Sequence, residues 1–141
     1  MAADWLTSIW NQNAQVFDSS PAASIFEEVV ASWILELLSL PADSSLGFVT
    51  GGQMANFTAI NIARNTVLEQ SGWDFDKNGI QGAPFISIYC ADVCHGTILS
   101  AIRMNGFGEN NLVPISTDSE GRMIVSDLKD KLSEQKGPKI I

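Results

Sequence analysis

The stretch GFVTGGQMANFTAINIA, Gly47 to Ala63, sets two patterns against each other with two glycines between them. Leu46, Gly47, Phe48 and Val49 form a short apolar run of strand character, and Thr50-Gly51-Gly52 is a turn. From Gly52 to about Glu69 apolar residues recur at the helical period, with Ala55, Ala59, Ile60, Ala63 and Val67 as the expected inner face. A strand–Gly–Gly–helix joint is a common anion site. The first helical amides lack partners inside the helix, the helix dipole favours negative charge there, and glycine lets a phosphate approach the backbone. The spacing is neither G-x-x-x-x-G-K-[ST] nor G-x-G-x-x-G. The turn alone therefore leaves open a plain tight turn and an anion cradle.

Towards the C-terminus, residues 71–84 read as a polar loop with Gly72, Gly79, Gly82 and Pro84. Phe85–Cys90 has strand length, and a helix is expected from His95 to Met104 with Ile98, Leu99 and Ile102 inward. A strand near 111–115, a turn at Asp118–Gly121 and a helix near 125–135 follow, and GPKII (137–141) begins a further apolar strand. Towards the N-terminus, residues 3–16 suit a helix with Trp5, Ile9 and Trp10 on one side. Ser20 as N-cap and Pro21 at the first helical position start a second helix, Ala22–Leu40, which Pro41 ends. The apolar face of that helix is broad: Ile25, Val29, Trp33, Leu37 and Leu40 form one stripe, with Phe26, Val30, Ile34 and Leu38 beside it.

The order helix, helix, β-α-β-α-β-α-β predicts an α/β fold with a mostly parallel sheet and flanking helices. Residues 1–45 form the N-terminal helices and 46–141 the α/β part. The strand begun by GPKII and the abrupt opening make both ends look cut. In a parallel sheet the C-terminal strand ends share one edge, where ligands collect. Gly51, Gly52 and Gln53 should then lie on the same edge as His95, the sole histidine.

The chain has 141 residues, 45 % hydrophobic and 17 % charged, which suits one packed domain rather than disorder. Its net charge of -8 argues against nucleic acid or an anionic membrane as a partner. No apolar run approaches the roughly 20 residues of a membrane span, and MAADWLTSIW lacks the basic region of a signal peptide. The two cysteines, Cys90 and Cys94, have C-x3-C spacing but no second ligand pair, so reduced thiols, no metal site and a cytoplasmic location are expected. Asp74-Phe75-Asp76-Lys77-Asn78-Gly79 copies the first half of an EF-hand loop, but Phe85 stands where the bidentate glutamate belongs. A solvated turn is the expected structure there.

Four ordered segments resemble the group II pyridoxal-phosphate-dependent decarboxylases of aromatic amino acids and glutamate. They are SSPAASIFEEVVASWILELLSLP, GFVTGGQMANFTAINIAR, YCADVCHGTILSAIRMNGFG and VPISTDSEGRMIVSDL, and together they cover nearly the whole chain. The resemblance implies part of a fold-type-I large domain, truncated at its C-terminus, with pyridoxal 5'-phosphate as cofactor. It implies that Gly51, Gly52 and Gln53 give backbone amides to the cofactor phosphate. His95 would lie against the pyridine ring as the catalytic histidine. The parent reaction would be loss of CO2 from an amino acid held as an imine of the cofactor, in a homodimer. In the family a ring-nitrogen aspartate and a Schiff-base lysine lie further along, and none of Lys77, Lys129, Lys131, Lys136 and Lys139 sits in the family's His-Lys context. Gln53 and Met54 replace the acid or serine of many relatives, and Cys94 before the histidine is unusual. The chain is thus expected to be inactive alone, the alternative being a non-catalytic association module or degenerate remnant of the family.

Overall fold

The structure, a computed structural model, describes residues 1–10 and 13–141. It divides into two compact units, Met1–Phe48 and Val49–Ile141.

The first unit is helical. α1 spans Ala2–Trp10, shorter than the 3–16 helix expected; Asn11 and Gln12 lie outside the described residues, and a turn follows them. α2 runs Pro21–Leu37 with Pro21 in its first turn. Ser20 stands at the N-cap, but its hydroxyl does not cap the helix. It accepts the amide of Asn13 instead (2.7 Å), which buries Ser20 and closes the preceding loop onto the helix start. The helix stops before Leu40 because Ser39 turns left-handed (φ 53) and the Leu40 amide reaches back to the Leu35 carbonyl (2.9 Å). That six-to-one bond is a Schellman ending, and Pro41 lies just beyond it. No residue of α2 is buried: Phe26, Trp33 and Leu37 are 69 %, 63 % and 82 % exposed.

The second unit is α/β. β1 (Ser87–Ala91) is the centre of a three-stranded parallel sheet with β2 (Leu112–Ile115) on one side and β3 (Lys139–Ile140) on the other. Around it stand α3 (Gly52–Gln70), α4 (Phe75–Asn78), α5 (Gly96–Met104) and α6 (Val125–Glu134). The parallel α/β expectation therefore holds, with one correction. Residues 46–49 form no strand. Strand structure is a property of a pair, both flanks of β1 are taken, and this run joins neither β2 nor β3.

The core is Leu68, Ile86, Ile88, Ile102 and Phe107, with Ile60, Val67 and Ile98 packed on it. α3 turns a slightly different face inward than its alanines suggest: Arg64 and Leu68 are its buried residues, whereas Ala55 and Ala59 are exposed. The segment 71–84 is also less of a solvated loop than its composition implies. Trp73, Phe75 and Ile80 pack against the core, and the Trp73 indole donates to the Gly79 carbonyl (2.8 Å). Asp74 is the N-cap of α4, accepting the Lys77 amide (3.0 Å). No helix among the described residues is long and apolar enough to cross a membrane.

Candidate functional site

α3 begins at Gly52 with Gly51 as its N-cap, and no side chain caps that end. The first amide there to find an acceptor is that of Ala55, on the Gly51 carbonyl (3.0 Å). The amides before it face the dipole-positive end of a 19-residue helix. Two reasons for glycine at this turn are absent. Gly51 has φ 161, extended backbone open to any residue, and Gly52 is helical. Among the described residues, a Cβ added to either meets nothing within 4 Å. The Gln53 side chain is engaged elsewhere, its amide nitrogen 3.9 Å from the Met104 sulfur. Gln53 thus offers this turn its backbone rather than its side chain.

His95 is the N-cap of α5 and is exposed. Its Nδ1 accepts the Thr97 amide (3.2 Å) and lies 2.8 Å from the Thr97 hydroxyl. The Asn56 side chain donates to the same hydroxyl from α3 (3.1 Å). A hydroxyl that accepts from Asn56 has its own proton free for Nδ1. The neutral ring then carries its proton on Nε2. Asn56 is one helical turn past Gly52 and Thr97 two residues past His95, so this chain of bonds ties the start of α3 to the start of α5. Gly51, Gly52, Gln53 and His95 all fall on these two helix starts.

A second polar network braces the same two helices further along. The Arg64 guanidinium donates to the Asn105 carbonyl (2.9 Å) and stands 3.8 Å from the centre of the Phe75 ring. Asn105 donates to the carbonyls of Phe57 (3.1 Å) and Ala101 (2.9 Å) and accepts from Asn61 (3.1 Å). Burial lowers the Arg64 pKa from its ordinary value, but an arginine stays charged at any physiological pH. Its charge is accommodated by carbonyls and a ring face. No motif in the sequence singles out Arg64, Asn56, Thr97 or Asn105. For the last three the only available signal was their placement, one turn from Gly52, two residues from His95, and just after α5.

A cleft of about 370 Å³ lies between α3, α5 and the sheet, lined among others by Asn56, Cys90, Cys94, Ile98 and Met123. Neither the glycine turn nor His95 lines it. It is an apolar neighbour of the two helix starts. Cys90 and Cys94 are free thiols. Lys131 is held by Asp127 (2.9 Å) and the Pro114 carbonyl (2.6 Å). Lys139 opens β3 opposite Ser87, at the other end of β1 from His95.

A family model described as the pyridoxal-dependent decarboxylase conserved domain matches residues 1–141. The chain is 33 % identical over 132 residues to L-2,4-diaminobutyrate decarboxylase of Rhizobium meliloti, covering 94 % of this chain and 24 % of that protein. It is 29 % identical to aromatic-L-amino-acid decarboxylase of Bacillus atrophaeus, over 96 % of this chain and 26 % of that one. It thus spans about a quarter of the length of these relatives. Among solved structures, mouse CSAD superposes on 99 % of this chain and 29 % of its own with TM-score 0.81 at 24 % identity, a likeness of fold. Oryza sativa TDC with PLP superposes on 94 % of this chain and 30 % of its own, with TM-score 0.70 and 27 % identity.

Proposed function

The chain belongs to the pyridoxal-dependent decarboxylase family, and from that premise we propose that it forms the phosphate-holding and ring-contacting part of an enzyme that removes CO2 from an amino acid. The observation that carries this reading is the glycine turn. Neither backbone conformation nor packing asks for glycine at 51 and 52, and the space a side chain would take is open. That is what close approach of a phosphate requires. The backbone amides of Gly52 and Gln53 hold the cofactor phosphate. His95, fixed by Thr97 and Asn56, lays its ring along the cofactor ring and keeps the reacting group oriented. Pyridoxal phosphate, when bound, supplies the electron sink for the departing carboxylate.

The piece supplies no Schiff-base lysine. Lys131 is occupied by Asp127 and Pro114, and Lys139 stands at the far end of the sheet. Residues 1–141 alone therefore bind the cofactor weakly and release no CO2. A longer enzyme of this kind acts as a homodimer, and the exposed apolar side of α2 favours association. The unpaired thiols suit a cytoplasmic setting. The test is to mix the chain with pyridoxal phosphate, reduce with borohydride and map labelled lysines by mass spectrometry, with a CO2 assay on amino acids alongside. The expected result is no stoichiometric label on any one lysine and no CO2. One fully labelled lysine, with CO2 release lost in His95→Ala, would overturn it.

A further inference from the structure

The turn that delivers His95 also folds Cys94 back onto Cys90. The Cys94 amide donates to the Ala91 carbonyl (2.9 Å), and this closure brings the two sulfurs to 3.6 Å at the C-terminal end of β1. Both are half-buried, and both line the cleft beside α3. Among the described residues no cluster of three or more His, Cys, Asp or Glu suits a metal ion. Two sulfurs alone fall short of a four-ligand site, so thiol chemistry is what this pair offers.

We propose that Cys90 and Cys94 are an oxidation site, a dithiol that a hydroperoxide converts to an intramolecular disulfide. The Cys94 sulfur attacks the peroxide, the O–O bond breaks, and an alcohol or water leaves with the transferred proton. Cys94 is then a sulfenic acid. The Cys90 sulfur attacks it, the S–O bond breaks, and the hydroxide leaves as water with the Cys90 proton. The sulfur pair loses two electrons and the peroxide gains them. Burial, with the Cys94 contact, pushes the Cys90 thiol up to about 11. A raised thiol is a slow nucleophile, so the oxidation is expected to quicken as pH rises. The disulfide ties the residue before His95 to the strand end, so oxidation is felt at the His95–Thr97 contact. The sulfur chemistry stands apart from cofactor binding, while its bearing on a ring-contacting His95 rests on the function proposed above.

The reduced chain is treated with hydrogen peroxide, alkylated, and weighed intact. The expected product has lost two hydrogen atoms, takes no alkyl group on either sulfur, and returns to the dithiol with dithiothreitol. Cys90→Ser and Cys94→Ser each lose this reversible product. The single histidine gives one set of ring signals in the NMR spectrum, expected to move on oxidation of the parent chain and not of either variant. Added oxygen on the sulfurs without loss of hydrogen, or disulfides only between chains, would overturn the site. An unmoved histidine signal in the oxidised parent would overturn its link to His95.

Discussion

Gly52 and His95 owe their interest to opposite circumstances. Among the described residues nothing stands within 4 Å of a Cβ placed on Gly52, and the lack of any conformational or packing demand is the reason to look for a ligand. Gly52→Ala should keep the fold and hold or raise its melting temperature, since alanine is favoured over glycine in helices by up to about 1 kcal/mol. The same change should weaken pyridoxal phosphate binding; a loss of stability would mean the glycine serves the fold. His95 is held by contacts that its sequence neighbours did not announce. Thr97→Val removes the hydroxyl link to Asn56 and should shift the ring towards its other neutral tautomer, read from its 15N signals. Unchanged signals would remove Thr97 from that role. The sequence shows which residue types stand at a helix start. It does not show that Asn56 and Thr97 meet, because they are 41 positions apart and only the crossing of α3 and α5 joins them.

At the scale of elements, two polar links hold the helices and can be tested separately. The Asn105 side chain accepts from Asn61 and donates to the Phe57 and Ala101 carbonyls, so Asn105→Ala strands these groups while leaving the Arg64 bond to the main-chain carbonyl in place, and should cost about 1–3 kcal/mol in urea unfolding. Asp127 joins α6 to the end of β2. The Ser116 amide (2.7 Å), with Lys131 beside it (2.9 Å), holds its carboxyl down at about 2. A carboxyl depressed in the folded state stabilises above its unfolded value, near 3.9, and that contribution fades as pH falls towards 2. Asp127→Asn should therefore be less stable than the parent chain at pH 7, with the gap closing between about pH 4 and 2. A gap that persists at pH 2 would assign the effect to packing. α2, α3, α5, α6 and the three strands were legible from apolar period and end signals, whereas the short helix α4 inside 71–84 was not. Residues 46–49 were not, because apolar character says nothing about whether a partner strand is present. The 71–84 segment misled in the other direction: its aspartates and glycines are polar, but Trp73, Phe75 and Ile80 fasten it to the core.

At the scale of the whole molecule, exposed apolar area sets behaviour in solution. Trp5, Ile9 and Trp10 on α1, and Phe26, Trp33 and Leu37 on α2, all lie open to solvent. Exposed large apolar side chains in such number favour association. Sedimentation velocity should show association that grows with concentration, and a clean monomer at tens of micromolar would contradict it. The measurement that bears most directly on the central claim is a 15N–1H NMR titration of the full chain with pyridoxal phosphate, with pyridoxal as control. The predicted result is that the amides of Gly52 and Gln53 and the His95 ring shift together with pyridoxal phosphate, and that the two amides stay still with pyridoxal. Shifts elsewhere with Gly52, Gln53 and His95 unmoved would contradict the account.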